Sequence, residues 1–123
     1  MSIVTGVDFA VVWVKDFDAA IEFYGTTLGL PEGQRYGQMP GQEFETGNLT
    51  LAIMEAKAFG QEFEPSKHPF ALQVGDIAAV REQLEGQGVT FHTDTFDSGV
   101  CHQAVFSDPD GNMLILHERY APR

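Results

Sequence analysis

The sequence predicts an α+β fold built from two copies of one βαβββ module. The order strand, helix, three strands can be read twice along the chain. Val14-Lys15-Asp16-Phe17 overlies Val74-Gly75-Asp76-Ile77 at an offset of 60 residues, and Ala19 meets Ala79. A second observation is Asp108-Pro109-Asp110-Gly111-Asn112, set between Ala104-Val105-Phe106 and Met113-Leu114-Ile115-Leu116. Proline presets φ, Asp and Asn bond their own backbone and Gly accepts positive φ, so this segment is a tight hairpin between two strands.

Val7 to Val14 is rich in β-branched and aromatic residues and reads as a buried strand. Asp16 or Asp18 then caps a helix through Ala19, Ala20, Ile21, Phe23 and Tyr24, which ends near Gly25 to Gly29. Arg35 to Gln38, Gln42 to Thr46 and Leu49 to Met54 follow as strands, the last two joined by a turn at Thr46-Gly47-Asn48. In the second half Phe70 to Val74 is a strand. Asp76 caps a helix through Ala79, Val80, Gln83 and Leu84 that closes at Gly86 and Gly88. Val89 to His92, Val100 to Ser107 and Met113 to Glu118 complete the second module. The whole chain, 1–123, is then one domain, with module 1 over about 1–56, a linker over about 57–67 and module 2 over about 68–123. The linker carries Phe59 and Phe63 among Glu and Lys. It reads as a solvated connection with its aromatics tucked inward or, more sharply, as a flap over a ligand site.

The net charge of −11 comes from acids spread along the chain. Such a surface disfavours nucleic acid and anionic membranes and favours cationic partners. Cys101 is the only cysteine, so no internal disulfide can form and no CxxC site exists. The start Met1-Ser2-Ile3-Val4 has no basic region, and no apolar run approaches a span of roughly 18 residues. A cytoplasmic protein without membrane contact is the expectation.

Taken together, Val14-Lys15-Asp16-Phe17 leading into Ile21-Glu22-Phe23-Tyr24, then Leu28-Gly29-Leu30, Val74-Gly75-Asp76-Ile77 and Asp108 to Asn112 resemble the vicinal oxygen chelate superfamily. That superfamily includes glyoxalase I, extradiol dioxygenases and the bleomycin-resistance proteins. The resemblance covers nearly the whole chain and speaks to fold more than activity, since this fold hosts isomerases, dioxygenases, thiol transferases and binding proteins. It implies that the paired modules form a U-shaped mixed sheet, a trough, with the helices on its outer face. It also implies a homodimer, sometimes with the trough built from both chains.

Enzymes of the superfamily hold a divalent metal with ligands from the first and last strand of each module. The first-strand ligand, usually His, lies five residues before the Val of the Val-x-Asp motif. That position is Phe9 in the first module and Pro69 in the second, and the last-strand ligand, usually Glu, falls at Ile115 and Ala52. None of these side chains offers oxygen, nitrogen or sulfur to a cation, and a divalent ion among them would stay uncompensated. The expectation is no metal and no cofactor. An alternative set exists one residue away. Asp8 and His68 share the same 60-residue offset, and His117 and Glu118 would supply the rest. That set requires a one-residue slip in both strands, which would turn Val11 and Trp13 outward.

By two-residue alternation Phe9, Val11 and Trp13 share a face, as do Ala71 and Gln73 on the matching strand. Ala52, Met54, Met113, Ile115 and His117 complete an apolar trough. Residue by residue, ordinary core is an equally good account. The ligand-binding set is therefore Phe9, Val11, Trp13, Met54, Gln73, Met113, Ile115 and His117. Trp13 offers a flat stacking surface that, among acids, suits an aromatic cation. His117 shares the face of Ile115 and is a candidate hydrogen-bond donor or proton carrier. His102 and Gln103 compete for the same rim, and the strand's alternation leaves open which of them faces inward.

Three functions follow. The first, on which the sequence bears most, is a metal-independent protein of the bleomycin-resistance-like type that sequesters an aromatic or cationic small molecule. The alternative is a glyoxalase- or dioxygenase-like lyase or isomerase, with an atypical metal site or with His117 or His102 as a metal-free acid or base. No nucleophile, base and orienting group can be assembled for it from the sequence. The third is an interaction module whose trough is filled by its own side chains.

Overall fold

Alternation decides which way each strand faces. In β1 (Phe9–Val14) of the computed structural model, Val12 and Val14 are buried, whereas Phe9 and Val11 are 51% and 37% exposed. A period of two is what a sheet covered on one side requires. Residues 2–122 are described, and the chain divides into two compact units, Met1–Glu64 and Pro65–Arg123.

The first unit continues with α1 (Phe17–Glu22), a π-helical turn (Phe23–Thr27), β2 (Glu32–Arg35), β3 (Gly41–Glu45), β4 (Thr50–Glu55) and a 3-10 turn (Lys57–Phe59). Its sheet runs β1-β4-β3-β2, parallel between β1 and β4 and antiparallel elsewhere. The parallel pair is possible because the helix and the β2–β3 hairpin supply the long crossover. Asp16 is the helix cap, its Oδ1 accepting the Ala19 N–H at 3.1 Å. Asp18 sits in the first turn, where its charge suits the helix's positive pole. The α-helix is shorter than the sequence predicts. It widens into the π-helical turn at Phe23, and the consecutive rings of Phe23 and Tyr24 are both buried, meeting edge-on at 5.1 Å. Beneath them lie Val12, Val14, Phe44, Leu51 and Ile53, joined by Phe17 and Ala20 of the helix. Each of the valine, leucine, isoleucine and phenylalanine side chains among them contributes about 1.5–3 kcal/mol through burial.

The strand expected at Arg35 to Gln38 lies earlier, at Glu32–Arg35. Residues 36–41 instead form a turn, with the Tyr36 N–H donating to the Gly41 carbonyl and the Met39 N–H to the Tyr36 carbonyl, both at 3.0 Å. Gly37 takes the positive φ of 61° that this turn needs.

The second unit contains β5 (Phe70–Gln73), α2 (Ile77–Gly86), β6 (Phe96–Asp97), β7 (Cys101–Ser107) and β8 (Met113–Arg119). Its sheet runs β5-β8-β7-β6 with β5 parallel to β8, the same order and sense as in the first unit. The Asp76 Oδ1 accepts the Ala79 N–H at 3.2 Å and opens the helix. Gly88, at φ 89°, closes it in a Schellman motif: the Gly88 and Val89 N–H groups donate to Glu85 and Leu84. Ala104, Phe106, Leu114 and Leu116 of the sheet and Ile77 and Leu84 of the helix form the core.

Val89 to His92, expected as a strand, reduces to one bridge between Phe91 and Phe106; the short edge strand is β6 instead. Side chains hold the intervening segment in place of a ladder. Arg81 Nη1 donates to the Thr93 carbonyl at 2.8 Å and its guanidinium lies 4.4 Å over the Phe91 ring, while Thr93 Oγ1 accepts the Val105 N–H. The hairpin between β7 and β8 forms as the sequence predicts. Asp108 Oδ1 accepts the N–H groups of Asp110 and Asn112, its Oδ2 accepts the Asn112 amide at 2.8 Å, and Gly111 takes φ 90°. No helix among the described residues is long and apolar enough to cross a membrane.

Candidate functional site

Each unit has one sheet face covered by its helix and one that the helix leaves uncovered, and the uncovered faces carry the candidate residues. In the first unit, Gly41, Met54 and Trp13 form one cross-strand row, Glu43, Ala52 and Val11 a second, and Glu45, Thr50 and Phe9 a third. Phe9, Val11, Trp13 and Met54 are thereby brought together. The Phe59 ring, from the segment read as linker or flap, lies 6.3 Å from that of Trp13. Glu43 and Glu45 are two strands away, roughly 10 Å at the spacing of a sheet. Tyr36 donates its hydroxyl to Glu43 at 2.6 Å, and its ring lies over Gly41, where any Cβ would collide with it. Burial, then the hydrogen bond and charge of Glu43, push the Tyr36 phenol up to about 12. Glu45 accepts the Thr50 hydroxyl at 2.8–2.9 Å. An aromatic and aliphatic stripe on the edge strand β1 thus shares a face with two anchored carboxylates on β3, a combination suited to a flat cation.

Tyr36, Glu43 and Glu45 are absent from the set that the sequence predicts. The signal for the two glutamates is present in Gln42-Glu43-Phe44-Glu45, where the buried Phe44 assigns both to the opposite face.

In the second unit the uncovered face carries Ala71, Ile115 and Val105 in one row and Gln73, His117, Gln103 and Phe96 in the next. Met113 pairs with Ser107 on one side of these rows and Arg119 with Cys101 on the other. The Cys101 sulfur lies 2.9 Å from Ser98 Oγ and 3.2 Å from the Gln103 amide nitrogen. These hydrogen bonds, helped by the charge of Arg119, lower the thiol below its ordinary range. Of the two competing residues of β7, Gln103 shares the face of His117.

His102 faces the other way, by the alternation of β7, and does not join His117. Its Nε2 lies 3.6 Å from Asp97 Oδ2 and its Nδ1 3.9 Å from Glu118 Oε2, with its ring 5.0 Å from Tyr120. Tyr120 donates its hydroxyl to Asp97 at 2.6 Å, which lowers that carboxyl and raises the phenol. Glu118 is on the same side, its Oε1 accepting the Ile77 N–H at the start of α2. As an alternative metal ligand it is therefore turned away from Ile115 and already engaged. Asp8 and His68 are exposed residues preceding β1 and β5. Among the described residues no three His, Cys, Asp or Glu side chains come together as a metal-holding group.

Residues 6–116 match the Glyoxalase/Bleomycin resistance protein/Dioxygenase superfamily. The chain belongs to this superfamily. A relative, YurT of Bacillus subtilis, is 29% identical over 126 residues, spanning 88% of this chain and 94% of its own. A superfamily member from Sphaerobacter thermophilus is 25% identical at a TM-score of 0.79, covering 96% of this chain and 100% of that one. TnmS3, an antibiotic binding protein from a Streptomyces species, shares the fold at a TM-score of 0.80 and 21% identity, covering 98% and 100%.

Membership makes the positions at which the sequence resemblance expects metal ligands a question of donor chemistry. Phe9 and Ile115 stand on uncovered faces, Ala52 is fully buried between Val11 and Glu43, and Pro69 precedes β5. None can donate an electron pair from its side chain, so these residues do not fit a divalent ion.

Proposed function

We propose that this superfamily member is a metal-independent small-molecule binding protein that sequesters an aromatic or cationic ligand on the uncovered sheet face of its first unit. The observation that carries the reading is the face shared by Phe9, Val11 and Trp13 with Glu43 and Glu45. Apolar side chains at the superfamily's metal positions and a net charge of −11 support it. TnmS3, of the same fold, is an antibiotic binding protein. The proposal includes a homodimer. Ile3, Val4 and Val7, which lead into β1, are 99%, 66% and 72% exposed, and an apolar run of this kind is better covered by a second copy than by water.

The test is titration with 9-aminoacridine, a flat cation, followed through the fluorescence of Trp13, the only tryptophan. Quenching and a rise in melting temperature are expected, and Trp13→Ala should abolish the binding while the protein stays folded. Absence of both effects with flat cations and flat neutral compounds alike would sink the reading. One stoichiometric transition metal per chain, found by elemental analysis, would remove its metal-independent part.

A further inference from the structure

We propose that Gln73, His117 and Gln103 form a hydrogen-bonding row that receives the imide-like edge of a neutral, planar ligand. The inference rests on the small-molecule reading above and names the ligand chemistry that the uncovered face of the second unit recognises by itself.

The register places the three residues side by side. Gln73 of β5 pairs with His117 of β8, and His117 pairs with Gln103 of β7, so their side chains rise from one face in one line. Two strand spacings make the line roughly 10 Å long, and the long glutamine side chains can lean toward the imidazole between them. Among the described residues neither the Gln73 amide nor the His117 ring has a hydrogen-bonding partner, and neither is a buried orphan. Their donors and acceptors face water and are available. Gln103 differs in being oriented. One of its N–H groups is committed to the Cys101 sulfur at 3.2 Å, which fixes the amide plane and leaves the second N–H and the carbonyl.

The chemistry of the row defines its complement. An amide N–H at each end and a ring nitrogen in the middle read donor, acceptor, donor. A cyclic imide presents carbonyl, N–H, carbonyl, the matching acceptor, donor, acceptor edge. The adjoining row, Ala71, Ile115 and Val105, is apolar and offers van der Waals contact to the body of a flat ring system. A site that bonds such an edge discriminates strongly against an analogue lacking it, because the loss leaves polar groups desolvated and unpaired.

Lumichrome, three fused rings ending in an imide, and acridine, three fused rings without a carbonyl, separate the possibilities. Equilibrium dialysis should show lumichrome bound at least about tenfold more tightly than acridine. The side-chain amide signals of Gln73 and Gln103 should move in ¹⁵N-correlated NMR spectra on adding lumichrome. Gln73→Leu and His117→Phe should each weaken lumichrome by about tenfold, the worth of one hydrogen bond, and so erase its advantage over acridine. Gln73 is exposed at the sheet edge, so its variant keeps the test valid should His117→Phe fail to fold. Equal affinity for both compounds, unmoved amide signals, or lumichrome binding indifferent to both variants would overturn the row. None of these results touches the small-molecule reading, which falls only with the Trp13 experiment.

Discussion

Asn112 Oδ1 accepts the backbone N–H of Ser66 at 2.7 Å, although 46 residues separate them in the chain. The Met113 N–H returns a bond to the Ser66 carbonyl at 3.0 Å, so the β7–β8 hairpin is stitched to the segment that enters β5. Asn112 is 2% exposed and also donates to Asp108. Its replacement leaves buried polar groups without partners. Asn112→Ala should cost about 2–4 kcal/mol, read as a lower urea midpoint at unchanged slope.

The two faces of β8 should respond oppositely to charge. Leu116 is 1% exposed in the core, whereas Ile115 is partly exposed on the uncovered face. Ile115→Glu should cost no more than about 1 kcal/mol, and Leu116→Glu should leave the protein largely unfolded at 25 °C. Circular dichroism melts of the two variants check this, and equal losses would refute the register.

Tyr36 gives the protein an alkaline signature. Its phenol is pushed up to about 12 from 10.0, burial contributing most and Glu43 the rest. The folded state therefore holds this proton more tightly than the unfolded one. The associated stability is fully present below pH 10 and is lost as pH rises toward 12. Absorbance titration at phenolate wavelengths should show a late-ionising component that Tyr36→Phe removes, and Glu43→Gln should bring it only part of the way back. Gly41→Ala, which forces the Tyr36 ring aside, should return it further.

Cys101 titrates in the opposite sense. Its thiol is lowered by Ser98 first and Gln103 second, so Ser98→Ala should raise it more than Gln103→Leu, measured by thiolate absorbance. The thiolate is favoured by folding, so this contribution is present above the ordinary thiol value of 9.0 and fades as pH falls through the lowered one.

Features set by near neighbours along the chain are legible in the sequence. The caps at Asp16 and Asp76, the Gly88 helix stop and the Asp108–Asn112 turn each depend on backbone bonds within a few residues. Alternation around Val12 and Val14 likewise gives β1 its facing. What distant partners decide is not legible. Val89 to His92 has the composition of a strand, yet Arg81 and Thr93 hold the segment that follows it without a ladder. The choice between His102 and Gln103 depends on the pairing of β7 with β8. Tyr36 enters the site only because its ring crosses Gly41 to reach Glu43.

The alternation of Ile115 and Leu116 along one strand also separates two kinds of selection. Substitutions at 113, 115 and 117 alter the chemistry of the uncovered face with little bearing on whether the chain folds, while those at 114 and 116 act on the core. On the proposed reading, a lineage carrying this strand is free to exchange one ligand for another by single steps, without first accumulating compensating changes in its core.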